Sequence, residues 1–146
     1  MPRNSAILRS SATEWVVLPT SAAEPALWKT SPAGIVFHST ESLQVPFEPS
    51  EARSIQNIGR YLLGFVRSEH AYHFVVDRFG QVHRVVSEST IANHAGYSMW
   101  ADTQYTYVNL NAAFLSVAFE GQAGLAITPA QITGARLLTE MLRAKY

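Results

Sequence analysis

The apolar residues of this chain change their period along its length, and that switching restricts the possible folds more than any other feature. Gly34-Ile35-Val36-Phe37-His38 is a compact β-branched and aromatic run, which predicts a buried strand. From Ser50 the period changes. Ile55, Ile58, Leu62 and Phe65 recur at three- and four-residue steps, placing one apolar stripe on a helix that ends near Ser68. Ser50 is the expected N-cap, and Glu51 complements the helix dipole. Two β-rich runs, residues 71–77 and 81–86, flank a turn containing Gly80 and predict a hairpin. Residues 88–112 read as irregular and polar-aromatic. Residues 114–120 alternate like a strand, with Leu115, Val117 and Phe119 on one face. Thr128-Pro129-Ala130-Gln131 combines a threonine cap, a proline at the first helical position and a glutamine placed for a capping box. Ile132, Ala135, Leu138 and Leu142 continue that helix to the chain end. The order β-α-β-β-β-α predicts an α/β fold, a mixed central β-sheet flanked by helices.

Residues 1–33 are expected to form an N-terminal extension or edge elements, with Trp15-Val16-Val17-Leu18 a short strand ended by Pro19. At 146 residues, 47% of them apolar and 15% charged, the chain has the makings of one packed domain rather than a disordered segment. Lysine plus arginine equal aspartate plus glutamate at 11 each, so no net field draws in nucleic acid or an anionic membrane. There are no cysteines, which excludes disulfides, thiolate metal ligands and a cysteine nucleophile within these residues. No apolar stretch approaches the ~20 residues of a membrane helix, so membrane insertion is not expected. The first residues lack the apolar centre of a secretory signal, leaving both a cell-wall-facing and a cytoplasmic location open.

Five histidines are the first candidates for chemistry: His38, His70, His73, His83 and His94. His38 ends a strand and opens onto the polar Ser39-Thr40-Glu41-Ser42 loop, where a metal ligand would be held rigidly. The competing reading for any one of them is a hydrogen-bonded core or surface histidine. By strand period Tyr72 shares a face with Phe74 and Val76, while His73 points the other way as a structural residue.

Four motifs in order carry a resemblance: Gly34-Ile35-Val36-Phe37-His38-Ser39-Thr40, then Tyr72-His73-Phe74 with its hairpin, then Asn93-His94-Ala95-Gly96, then Leu115-Ser116-Val117-Ala118-Phe119-Glu120-Gly121. Together they resemble the type 2 N-acetylmuramoyl-L-alanine amidase and peptidoglycan recognition protein family, over residues 34–146. The resemblance implies a zinc hydrolase of the amide between the N-acetylmuramic acid lactyl group and L-alanine, acting on peptidoglycan or muropeptides. His38 matches the family's first zinc ligand. Tyr72 matches the catalytic tyrosine of the T7-lysozyme-like branch, which sits beside the zinc-bound water. A second branch carries a glutamate at the position of Ala118 and lacks the tyrosine, so this chain sides with the tyrosine branch.

Thr40, Asn93, His94, Ala95 and Gly96 are expected to line the substrate groove, with Gly96 permitting close backbone approach. Glu120 lies about 7 Å beyond Ala118 on the same face, as a substrate contact or a structural carboxylate. The resemblance places a second and third zinc ligand after the last helix, where this sequence ends at Tyr146. The expectation is therefore an amidase-like domain, residues 34–146, truncated at its C-terminus. A non-catalytic muropeptide-binding module is the alternative reading.

Overall fold

The computed structural model describes residues 31–146 and, upstream, two short strands, β1 (Ile7–Arg9) and β2 (Trp15–Val16). Val17, Leu18 and the connection predicted after Pro19 lie outside the described residues. There follow β3 (Gly34–Ser39), α1 (Ala52–Ser68), β4 (Phe74–Val76), β5 (Val82–Arg84), β6 (Met99–Ala101), β7 (Tyr105–Val108), β8 (Phe114–Phe119) and α2 (Pro129–Lys145).

The main sheet has the order β3-β8-β4-β5. β8 runs parallel to both β3 and β4, and the β4–β5 hairpin is antiparallel, so the sheet is mixed as expected. Its two faces are covered by different helices. Phe74, Val76, Leu115 and Val117 pack against Ala135, Leu138 and Leu142 of α2. Val75 and Ala118 pack against Leu62 and Val66 of α1. Each such large apolar side chain contributes about 1.5–3 kcal/mol when fully buried.

Three expectations need correction here. β3 is only half-buried, with Phe37 49% exposed, because it lies at the edge of the described sheet while β8 takes the centre. Residues 88–112 are not irregular throughout. β6 and β7 form a hairpin within a second, antiparallel sheet of order β2-β1-β7-β6. Its partner β1 is remote in sequence, so no local pattern announces the pairing. Ser50 does not cap α1. It sits inside a 3-10 turn, Pro49–Glu51, that precedes the helix, and the N-cap Glu51 makes no side-chain cap bond.

Each helical stripe departs from expectation at one position. In α1 Ile55, Leu62 and Val66 are buried, the last two against the sheet, whereas Phe65 is 58% exposed. In α2 the capping box forms, Thr128 Oγ1 accepting from the Gln131 amide at 3.1 Å and Gln131 Oε1 from the Thr128 amide at 3.0 Å. Gln131 is buried there, and Ile132 faces outward. Gln131 Nε2 donates to the carbonyls of Val76 (3.1 Å) and Glu120 (3.0 Å), tying the helix start to two strand ends. The hairpin turn then presses onto α2. A Cβ added at Gly134 would lie 2.3 Å from the Gly80 carbonyl oxygen, so this contact requires glycine. At the other end, buried Glu88 pairs with Arg84 (2.7 Å) and Lys145 (3.0 Å), linking β5 to the last turn of α2.

Candidate active site

The parallel register aligns His38 with Ala118, and Ala118 with Val75, so all three residues face α1. His38 Nε2 lies 3.1 Å from His94 Nδ1, with the rings edge to face. The Tyr72 ring centroid is 5.4 Å from that of His38. Imidazole, imidazole and phenol are thus gathered at one sheet end from β3, the 93–96 loop and the segment before β4.

Tyr72 reaches this position against the alternation expected of it. It packs with Leu62, Val66, Val75 and Ala118, on the face opposite Phe74 and Val76. The cause is local backbone geometry. His70 and Tyr72 both have positive φ, 51° and 60°, so the chain has not entered the strand and the two-residue period does not yet apply. A left-handed tyrosine is strained, and strain of this kind concentrates at functional sites. The segment is held by the Tyr72 amide donating to Asn93 O (3.1 Å) and the Asn93 amide donating to His70 O (2.9 Å).

The 93–96 loop is fixed from below. Asn111 Oδ1 accepts from the amides of His94 (3.0 Å) and Ala95 (2.7 Å). Asn93 uses its side-chain amide on the Glu69 carbonyl at the end of α1 (3.0 Å). Ala95 packs on the cluster of Tyr107, Leu110, Ala113 and Phe114. Gly96 has φ +56°, and a Cβ there would meet nothing within 4 Å. Its glycine serves the left-handed turn.

Burial sets the electrostatics. The His38 imidazole is pushed below its ordinary pKa by desolvation. His94 falls to about 4, first through desolvation and then through the neighbouring His38 and His73, with the Phe114 and Leu110 carbonyls pulling the other way. Both rings are therefore neutral at pH 7, and one N–H lies between them. Tyr72 is pushed up, mainly by burial and secondly by Glu41, so it remains a phenol that can donate a hydrogen bond.

The other histidines have separate places. His73 is fully buried. Its Nδ1 accepts from the Ser116 amide (3.0 Å), so Nε2 carries the proton and donates to Thr90 O (2.9 Å). His83 pairs with Asp77 at 2.8 Å, and His70 is exposed. Thr40 hydrogen-bonds Ser42 (2.9 Å) and accepts from the Gly121 amide (3.2 Å), bracing the loops after β3 and β8. Glu120 is buried, with Oε2 accepting from the Arg78 amide at 3.2 Å. It shares with His38 the lining of a cavity of about 290 Å³. Asn111 and Ser116, which position the site's loop and its buried histidine, carry no recognisable signal in the sequence.

The zinc expectation meets a limit. Among the described residues no three His, Cys, Asp or Glu side chains lie together so as to hold a metal ion. His38 and His94 offer two neutral imidazoles, one fewer than the three protein ligands of an open zinc site. Among those residues, also, no helix is long and apolar enough to cross a membrane.

No curated protein matches the chain. Among solved structures it resembles an AmpD selenomethionine derivative, with 21% identity, 80% of this chain and 66% of that one covered, and a TM-score of 0.55. It also resembles the Apis mellifera peptidoglycan recognition protein PGRP-SA (16% identity, 86% and 71% covered, TM-score 0.56). A third is the E. coli N-acetylmuramyl-L-alanine amidase AmiD, solved with anhydro-N-acetylmuramic acid-L-Ala-D-gamma-Glu-L-Lys (18% identity, 97% and 52% covered, TM-score 0.60). The chain thus spans 66% of AmpD's length and about half of AmiD's. These likenesses establish the fold. The sequence model of N-acetylmuramoyl-L-alanine amidase matches residues 28–146, most of the chain, and the protein belongs to that family.

Proposed function

We propose that the chain carries the substrate-facing part of a zinc-dependent N-acetylmuramoyl-L-alanine amidase, acting on the lactyl–L-alanine amide of peptidoglycan or muropeptides. The observation that carries this reading is the Tyr72 phenol beside the neutral His38–His94 pair, held on a rigid sheet end. An amide carbonyl entering there would meet a protonated phenol able to donate to the developing oxyanion. Neutral imidazole is also the form in which histidine accepts a proton or binds metal. His38 is the zinc ligand of this reading. The described residues fall short of a full metal site, so no catalytic step is assigned to the ion. Thr40, Asn93, Ala95, Gly96 and Glu120 are the remaining proposed substrate contacts, in part through the loops they brace.

The same shortfall favours a second reading, a module that binds muropeptide without cutting it. One experiment separates the two. The purified chain is incubated with zinc and N-acetylmuramoyl-L-alanyl-D-isoglutamine, and free L-alanyl dipeptide is followed by mass spectrometry beside bound zinc. Zinc-dependent release, lost in His38→Ala, is the expected result. Saturable binding with neither zinc nor release establishes the module, and failure to bind at all removes both readings.

A further inference from the structure

A second cavity, of about 740 Å³, opens between α1 and the β4–β5 hairpin, lined among others by Gln56, Gly59, Asp77, Gln81, His83 and Glu120. Glu120 is 3% exposed, and its Oε1 is buried with no hydrogen-bond partner among the described residues. The Arg78 side chain, whose backbone amide reaches Glu120, does not donate to it. The Arg78 guanidinium donates to Val45 O (2.6 Å) and lies over the Phe47 ring, leaving only the Arg78 backbone amide on Glu120 Oε2. Asp77, by contrast, is saturated. Its Oδ1 accepts from the Phe79 (3.0 Å) and Gln81 (2.9 Å) amides, and its Oδ2 meets His83. A buried carboxylate oxygen left without a donor is costly, and more so without a countercharge.

α1 leaves room above it. A Cβ built at Gly59 would stand 3.5 Å from Glu120 Oε2 and 3.6 Å from Oε1. Glycine inside a helix costs about 1 kcal/mol relative to alanine, although alanine would fit here in ordinary contact. The gap over the carboxylate is therefore kept at a cost to the helix. Glu120, Asp77 and His83 do not come together as a metal site.

We propose that this cavity binds a primary ammonium group, with Glu120 Oε1 as its acceptor. The ammonium is carried either by a small alkylamine or by a lysine-like side chain, and the inference holds whether or not the chain is a hydrolase. Burial already pushes the Glu120 carboxyl upward in pKa, and an ammonium partner would reverse that push.

The test is ¹⁵N NMR titration of the full chain with n-pentylamine, with Nα-acetyl-L-lysine N-methylamide, and with the Nε-acetylated form of the latter. The expected result is saturable shifts of the Gly59 and Arg78 amides with one or both ammonium probes, at least tenfold weaker with the Nε-acetylated one. Binding by pentylamine identifies a small-amine site, and binding by the lysine probe alone identifies a side-chain site. Glu120→Gln weakens binding at least tenfold. Gly59→Ala, which improves helix propensity and fills the gap, does the same and serves if Glu120→Gln does not fold. Equal binding of the acetylated probe, undiminished binding to Gly59→Ala, or no saturable shift in the native chain overturns the proposal.

Discussion

Replacing His94 by glutamine tests the electrostatics of the candidate site directly. In the folded chain His94 titrates at about 4, against an ordinary value of 6.5. Between those values the unfolded chain binds a proton that the native state refuses. The native state therefore keeps its full stability above pH 6.5 and loses this contribution as pH falls from 6.5 to 4. Taken at face value the difference amounts to about 3 kcal/mol at pH 4. Partial solvent access to the ring reduces it to about 1.5 kcal/mol. For a chain of this size that corresponds to a melting-temperature change of about 5 °C. Thermal melts of both proteins, followed by circular dichroism from pH 7.5 to 4 with a chelator present, measure it. The variant should lose its deficit, or gain an advantage, of about 5 °C relative to the native chain over that range. Parallel pH profiles would refute the reasoning, because His94 would then protonate as freely as a solvent-exposed imidazole.

Tyr72→Phe should slow amide cleavage about tenfold or more while leaving bound zinc unchanged. An undiminished rate demotes the hydroxyl to a packing role. Asn111→Ala removes the acceptor of two loop amides and should cost about 1–2 kcal/mol. Faster hydrogen exchange at His94 and Ala95 is the sign to look for, and unaltered exchange contradicts the clamp. Gly134→Ala brings a methyl within 2.3 Å of the Gly80 carbonyl oxygen. The strain should outweigh the helix gain and destabilise by about 1–3 kcal/mol in urea unfolding. A stabilised variant would show that the turn does not press on α2.

Where chemistry is local, the sequence was readable. The α2 start needed only Thr128, Pro129 and Gln131 in their spacing, and the full capping box is present. The 114–120 alternation placed Leu115 and Val117 on the α2 face. One misplaced residue in each helical stripe marks the limit of such reading. Phe65 and Val66 are equally apolar, and the sheet, not the helix, selects Val66. Hydrophobic period establishes that a face exists but fixes its direction only to within a residue.

The candidate site divides the same way. The motif order singled out His38, Tyr72 and His94 as residue types able to do chemistry. It did not bring them together, and for Tyr72 it named the wrong face. A left-handed backbone at residues 70 and 72 turned that ring toward His38. Asn111, distant in the chain, brought the 93–96 loop to the same place. Sequence by itself thus determined the family, the candidate groups and the elements of the main sheet and its helices, though not the β6–β7 hairpin, because what it determined is written in neighbouring residues. The His38–His94 contact, the desolvation that keeps both rings neutral and the orphaned Glu120 oxygen were decided by tertiary structure alone. Proximity, burial and hydrogen-bond satisfaction are properties of the packed chain and belong to no single segment of it.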